Sequence, residues 1–186
     1  MQSRKILSAV AVLLLIVLLP CLGLGRSCDR ASIGADFGLL GDLVFENDIE
    51  ASIAARVRVS DEFALKLPVT AVFGYESVFL DTGIMLVYYP FGTGPFVSLS
   101  LLHFGFETRQ RLLDDRIVSL NEVTLGWTWN FTSSWFLEAE LTVRDPSGTF
   151  EDQYEMIRGA FSGYGTFRLR LLAGWNFLRR PDDGQD

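Results

Sequence analysis

The chain has 186 residues, of which 49% are hydrophobic, 13% aromatic and 21% charged, with 17 Gly, 2 Cys and 1 His. That composition excludes intrinsic disorder, a disulfide scaffold and most zinc sites, and it fits a single domain. A formal charge of -7 disfavours capture of phosphate backbones, so no nucleic acid partner is expected.

Arg4 and Lys5 precede a run from Ile6 to Leu19 in which only Ser8 is polar, and Pro20 closes it. This is the pattern of a secretory signal peptide. Gly23 and Gly25 supply the small side chains of a cleavage site before Arg26, which places the signal over residues 1–25 and the exported domain over 26–186. If Cys21 leaves with the signal, Cys28 has no partner for an internal disulfide.

From Ala31 onward apolar and polar residues alternate with period two, which predicts strands rather than helices. Strand one spans about 31–45, with Ile33, Ala35, Phe37 and Leu39 opposite Ser32, Asp36 and Asp42. Strand two, 49–59, sets Ile53, Ala55 and Val57 against Glu50, Arg56 and Arg58. Strand three, 63–75, sets Leu65, Leu67 and Val69 against Lys66 and Thr70, with Pro68 a mild violation. Strand four, 79–89, is apolar on both faces near Ile84 to Tyr89, so its register stays open. Residues 90–94 form a turn. Strand five, 95–107, begins with Ser98 and Ser100 on one face and then turns Leu102, Phe104 and Phe106 to the other, which calls for a bulge.

Residues 108–116 form a polar loop. Strand six, 117–131, sets Val123, Leu125, Trp127 and Trp129 against Thr124, Gly126 and Thr128. Strand seven, 135–145, opposes Leu137, Ala139, Leu141 and Val143 to Glu138, Glu140, Thr142 and Arg144. A long loop over 146–162 follows, and strand eight, 163–177, sets Phe167, Leu169, Leu171 and Trp175 against Thr166, Arg168, Arg170 and Asn176. A charged tail closes the chain.

Eight alternating strands suit either a soluble barrel or sandwich, with its apolar face inward, or a membrane barrel, with its apolar face outward. The aromatic residues discriminate. With strand one starting in the periplasm, Tyr88, Tyr89, Phe96, Trp127, Trp129, Trp135, Trp175 and Phe177 gather at the periplasmic ends, joined by Phe63, Phe91, Phe131 and Phe136. This is the interfacial girdle of a bilayer protein. Phe45, Phe73, Phe79, Phe104 and Phe106 form a weaker ring at the other ends. Turns at the girdle end are short, and the loops over 108–116 and 146–162 fall at the opposite end, as in outer-membrane barrels. The expected fold is all-β, an eight-stranded antiparallel up-and-down transmembrane β-barrel in the outer membrane.

The final strand, Phe167-Arg168-Leu169-Arg170-Leu171-Leu172-Ala173-Gly174-Trp175-Asn176-Phe177, alternates and ends on an aromatic residue. Over the mature length the chain resembles the small eight-stranded outer-membrane proteins of the OmpA, OmpX and OmpW-like group. The resemblance implies that Gly174, Trp175 and Phe177 belong to an assembly signal read by the outer-membrane barrel assembly machinery, and that outer-membrane lipid surrounds the barrel. Nine residues follow Phe177, whereas many members of the group end at that aromatic.

The inward charges on this register are Asp36, Asp42, Glu50, Glu138 and Glu140 against Arg56, Arg58, Lys66, Arg144, Arg168 and Arg170. They nearly cancel, and an eight-stranded barrel is just wide enough for its side chains to fill it. A paired plug is therefore expected over a selective pore lining. The outer loops are acidic, which suits solvated charge or an extracellular or envelope protein partner. No cofactor or metal site is expected, and no enzyme. The one histidine, His103, lies three residues from Ser100, a separation that puts the two on opposite faces unless the bulge intervenes, and the His-x-Ser pattern of barrel deacylases is absent. Structural or surface interaction is the leading function; the alternative is a narrow OmpW-like channel for small hydrophobic solutes.

Overall fold

An antiparallel sheet with two unlike faces requires alternating side chains, and this requirement shapes most of the chain. The computed structural model describes residues 29–36, 49–74, 77–109 and 116–179. The signal segment 1–25, residues 37–45 of strand one with Asp42, most of the 108–116 loop and residues 180–186 of the tail lie outside the described residues.

The strands are β1 (Asp29–Asp36), β2 (Ile49–Arg58), β3 (Phe63–Phe73), β4 (Ser77–Tyr88), β5 (Pro95–Arg109), β6 (Arg116–Ser119), β7 (Glu122–Asn130), β8 (Trp135–Arg144) and β9 (Phe167–Arg179), with one helix, α1 (Glu151–Ala160), between β8 and β9. Every pairing is antiparallel. Neighbours in sequence pair in turn, β9 pairs back onto β1, and β4 pairs with β5, so the sheet closes. β6 and β7 both pair with β5 and form one interrupted stave, which makes the barrel eight-stranded.

The wall has its apolar face outward. Ile33, Ile53, Leu67, Leu99, Leu125, Leu169 and Trp175 are exposed, while Arg56, Lys66, Glu138, Glu140, Arg144 and Arg170 are buried inside. Such a barrel has no stable place in water, where contiguous apolar surface of this extent is costly.

Three irregularities sit at one height of the wall. The β4–β5 register shifts between Ile84 and Met85, so that Leu102 faces Ile84 and Ser100 faces Met85, with Leu101 as the extra residue. This is the expected bulge, and Leu101 and Leu102 both point outward. Beside it, a Cβ on Gly83 would stand 2.4 Å from the Leu102 carbonyl oxygen; only glycine lets the strands approach there. On the other side of β4, Pro68 has no N–H for the ladder, and its carbonyl accepts a hydrogen bond from the Thr82 hydroxyl at 3.0 Å.

The structure corrects several sequence expectations. Strand six is broken at Leu120 and Asn121, because Leu120 turns into an apolar cluster and the Asn121 carbonyl accepts from Asp145 N at 3.0 Å and Tyr154 Oη at 2.6 Å. The stretch 146–162 contains α1, a helix of 10 residues. Strand eight starts at Phe167 rather than 163 and continues through Leu178 to Arg179, which pairs with Asp29. Tyr89 and Phe96, expected in the girdle, are buried in the lumen, and Phe136 and Phe79 join them there. Phe96, Phe136 and Phe79 each lie across a glycine of a neighbouring strand: a Cβ on Gly126, Gly174 or Gly105 would meet their rings at 2.2–2.3 Å. An inward ring above a bare backbone fills space that no two opposed side chains could share.

Candidate functional site

The interior of the barrel holds the polar chemistry of the molecule, in two clusters. Glu138 on β8 is the hub of the inner one. Its Oε2 accepts from Arg56 Nη1 at 2.5 Å and from Thr128 Oγ1 at 2.8 Å, and its Oε1 accepts from Lys66 Nζ at 2.8 Å. Lys66, reaching across the barrel from β3, also pairs with Glu140, which lies 3.1 Å from Arg170 Nε. Arg56 donates further to Tyr89 Oη at 2.6 Å and Ser32 Oγ at 3.2 Å, and it stacks on Phe136. A cavity of about 10 Å³ remains beside Arg56, Lys66 and Glu138, room for about one water.

The outer cluster is centred on Arg144, at the last residue of β8. Its Nε lies 3.2 Å from Glu122 and its Nη2 3.5 Å from Glu50. Glu50 also pairs with Arg168, which stands 3.7 Å from Asp36. His103 Nε2 is 3.4 Å from Asp81, and its Nδ1 is 4.0 Å from Glu122. The bulge puts Ser100 and His103 on the same face, yet Ser100 Oγ accepts the Glu122 amide at 2.8 Å and makes no bond to the imidazole. Among the described residues no group of His, Cys, Asp and Glu is arranged to hold a metal ion.

Above this cluster lies an aromatic layer. Tyr164 covers Arg144, whose guanidinium carbon is 3.6 Å from the ring centroid. Tyr154 and Ile157 of α1, with Phe161 and Tyr164, pack on Val72, Phe79, Val118 and Leu120 of the wall. Tyr154 Oη both donates to the Asn121 carbonyl and accepts from the Asn121 amide at 3.2 Å. Burial pushes both phenols well above the usual tyrosine range, with Arg144 opposing the shift, so each stays a neutral donor at physiological pH.

No family model and no curated protein matches the chain. Among solved structures it is similar to the crystal structure of the N-terminal β-barrel domain of Pseudomonas aeruginosa OprF, with 16% sequence identity, a TM-score of 0.52, and coverage of 79% of this chain and 96% of that one. The two share a fold, a small closed antiparallel β-barrel.

Within this fold the sequence-derived residues divide clearly. Asp36, Glu50, Arg56, Lys66, Glu138, Glu140, Arg144, Arg168 and Arg170 meet in the two clusters. Arg58 sits at the rim, donating to the carbonyls of Asp61 at 2.9 Å and Gly92 at 2.7 Å and stacking on Tyr89. Of the girdle, Tyr88, Trp135, Trp175 and Phe177 face outward and Trp127 and Trp129 are half-buried. Gly174 faces Phe136. Sequence reasoning missed Asp81, Glu122 and Tyr164. Glu122 shares the parity of Thr124, a signal that was available, and Asp81 is a lone charge in an otherwise apolar strand.

Proposed function

We propose that the protein is exported by its 1–25 signal peptide, inserted into the outer membrane by the barrel assembly machinery, and acts there as a closed barrel with a structural or surface-interaction role. The observation that carries this reading is the inversion of the wall, with apolar side chains outward and paired charges inward. An outward apolar face is stable against lipid and against nothing else the cell envelope offers. Trp135 and Trp175, in edge contact at 4.8 Å between ring centroids, are the kind of amphipathic rings that settle at a headgroup boundary.

The ionic clusters favour a plug over a pore. Glu138 alone is bonded to Arg56, Lys66 and Thr128, and side chains so engaged leave no free charge to line a water column. Such a barrel would act through its outer end, which carries the acidic residues Glu151, Asp152 and Glu155 on α1 and could meet an extracellular or envelope protein. The OmpW-like route for small hydrophobic solutes is the weaker reading, since it calls for an apolar lumen.

Planar-bilayer recording of the folded protein tests the plug. No steady conductance is expected from the wild type. Neutralising Arg56, Arg168 and Glu138 together is expected to cost several kcal/mol of stability, about 3–5 kcal/mol for a broken buried pair. If that triple variant kept full stability and gained conductance, the plug reading would be wrong.

A further inference from the structure

We infer that residues 145–166 form a hinged lid over the outer half of the lumen, able to open the vestibule around His103 and Arg144 to the outside while the inner Glu138 cluster stays shut. The inference rests on the closed-lumen reading above and adds a second, independent closure to it.

The lid leaves and rejoins the wall at nearly one point. Arg144 N donates to Thr166 O at 2.8 Å, so the two ends of the segment are paired with each other. Between them Asp145 and Gly148 have positive φ, 49° and 67°, and Gly163 and Gly165 flank Tyr164 at the other end. A segment anchored at a single rung and bordered by such residues can swing with little strain on the barrel.

What holds it down differs from what holds the lumen. Val72, Phe79, Val118 and Leu120 meet Tyr154, Ile157, Phe161 and Tyr164 through apolar contact, supplemented by the Tyr154–Asn121 pair of hydrogen bonds and, at the hinge, by Arg144, which lies under the Tyr164 ring and donates to the Gly165 carbonyl at 3.2 Å. The charges of α1 take no part. Arg158 bonds within the segment, to the Tyr154 carbonyl at 3.3 Å and Thr166 at 3.0 Å, and among the described residues no ion pair joins Glu151, Asp152, Glu155 or Arg158 to the wall. A cleft of about 170 Å³ opens at the hinge, lined by Arg144 and otherwise by residues of the segment itself, among them Gly148, Tyr154, Arg158 and Gly165.

The vestibule below would also gain from opening. The polar contacts there are long: His103 meets Asp81 at 3.4 Å and Glu122 at 4.0 Å, and Arg144 Nη2 meets Glu50 at 3.5 Å. Water admitted by the lid would bridge these long contacts and offset part of the apolar surface exposed. The vestibule that the lid uncovers takes solvent and small ions of either sign.

The test uses Val72→Cys, buried beneath the lid, in a Cys28→Ser background, with a charged, membrane-impermeant maleimide as the probe and the heat-dependent gel shift as the check on folding. Slow labelling is expected with the native lid. Tyr154→Phe, which removes only the latch, should speed it about tenfold, and Ile157→Asn should speed it further, with neither variant conducting. Equal labelling rates in folded variants would overturn the lid and leave the plug standing. Steady conductance in lid variants would instead overturn the closed-lumen reading and, with it, the separate inner stop. Loss of the gel shift in both variants would show that the segment is part of the barrel's own stability and would overturn its independence.

Discussion

The lumen and the layer that caps its outer end are held by different chemistry, although both rest on the same strands. Around Glu138 the space is occupied by long charged side chains that reach across the barrel, as Lys66 does from β3 to β8. Around Tyr164 it is occupied by rings and branched chains from a segment that lies outside the sheet. Each inner charge is held by two or three partners, and removing one strands the others. The contacts of Tyr154, Ile157 and Phe161 are mainly apolar, and losing one of them loosens the lid without removing a partner from a buried charge. The difference teaches that the ionic lumen is tied to the folding of the barrel, whereas the capping segment has a stability of its own.

The strongest way to break this contrast is Glu138→Leu. It leaves Arg56 and Lys66 facing each other with their main acceptor gone, and a loss of about 3–5 kcal/mol is expected in urea unfolding of the detergent-folded protein. Gly126→Val comes next, because its Cβ would meet Phe96 at 2.3 Å and the Ala139 carbonyl at 2.9 Å; a loss of about 1–3 kcal/mol from overpacking should appear in the same assay. Phe161→Ala removes a fully buried ring from the outer layer, worth about 3–5 kcal/mol in a rigid core. Here the loss should fall on protease protection of residues 145–166, with the unfolding midpoint of the barrel little changed, so its effect on global stability ranks below the first two. Glu155→Gln, on the exposed side of α1, should change either readout by less than about 0.5 kcal/mol.

Most of the barrel was legible because β2, β3, β8 and the first part of β9 alternate cleanly and their charges share one parity. Arg56, Lys66, Glu138, Glu140 and Arg170 could be placed together from that parity alone, before any distance was known. β4 resisted for a physical reason: the lumen of so narrow a barrel needs volume as well as charge, so Phe79, Met85 and Val87 point inward and the alternation disappears. The same demand drew Phe96 and Phe136 out of the expected girdle, and the glycines opposite them, Gly126 and Gly174, carried the signal. The helix was hidden because Tyr154, Ile157 and Phe161 give only a short 3.6-residue pattern inside a polar stretch, where period two had simply lapsed. Tyr164, between two glycines, belongs to no period at all.

The most direct measurement is the migration of refolded residues 26–186 on a denaturing gel, boiled against unboiled. A compact unboiled band that shifts on boiling is the expected result, because a closed barrel with an apolar exterior resists detergent until it is heated. Absence of any shift, together with cooperative folding in buffer without detergent, would mean that the apolar face is turned inward, and would contradict both the membrane reading and the closed lumen built on it.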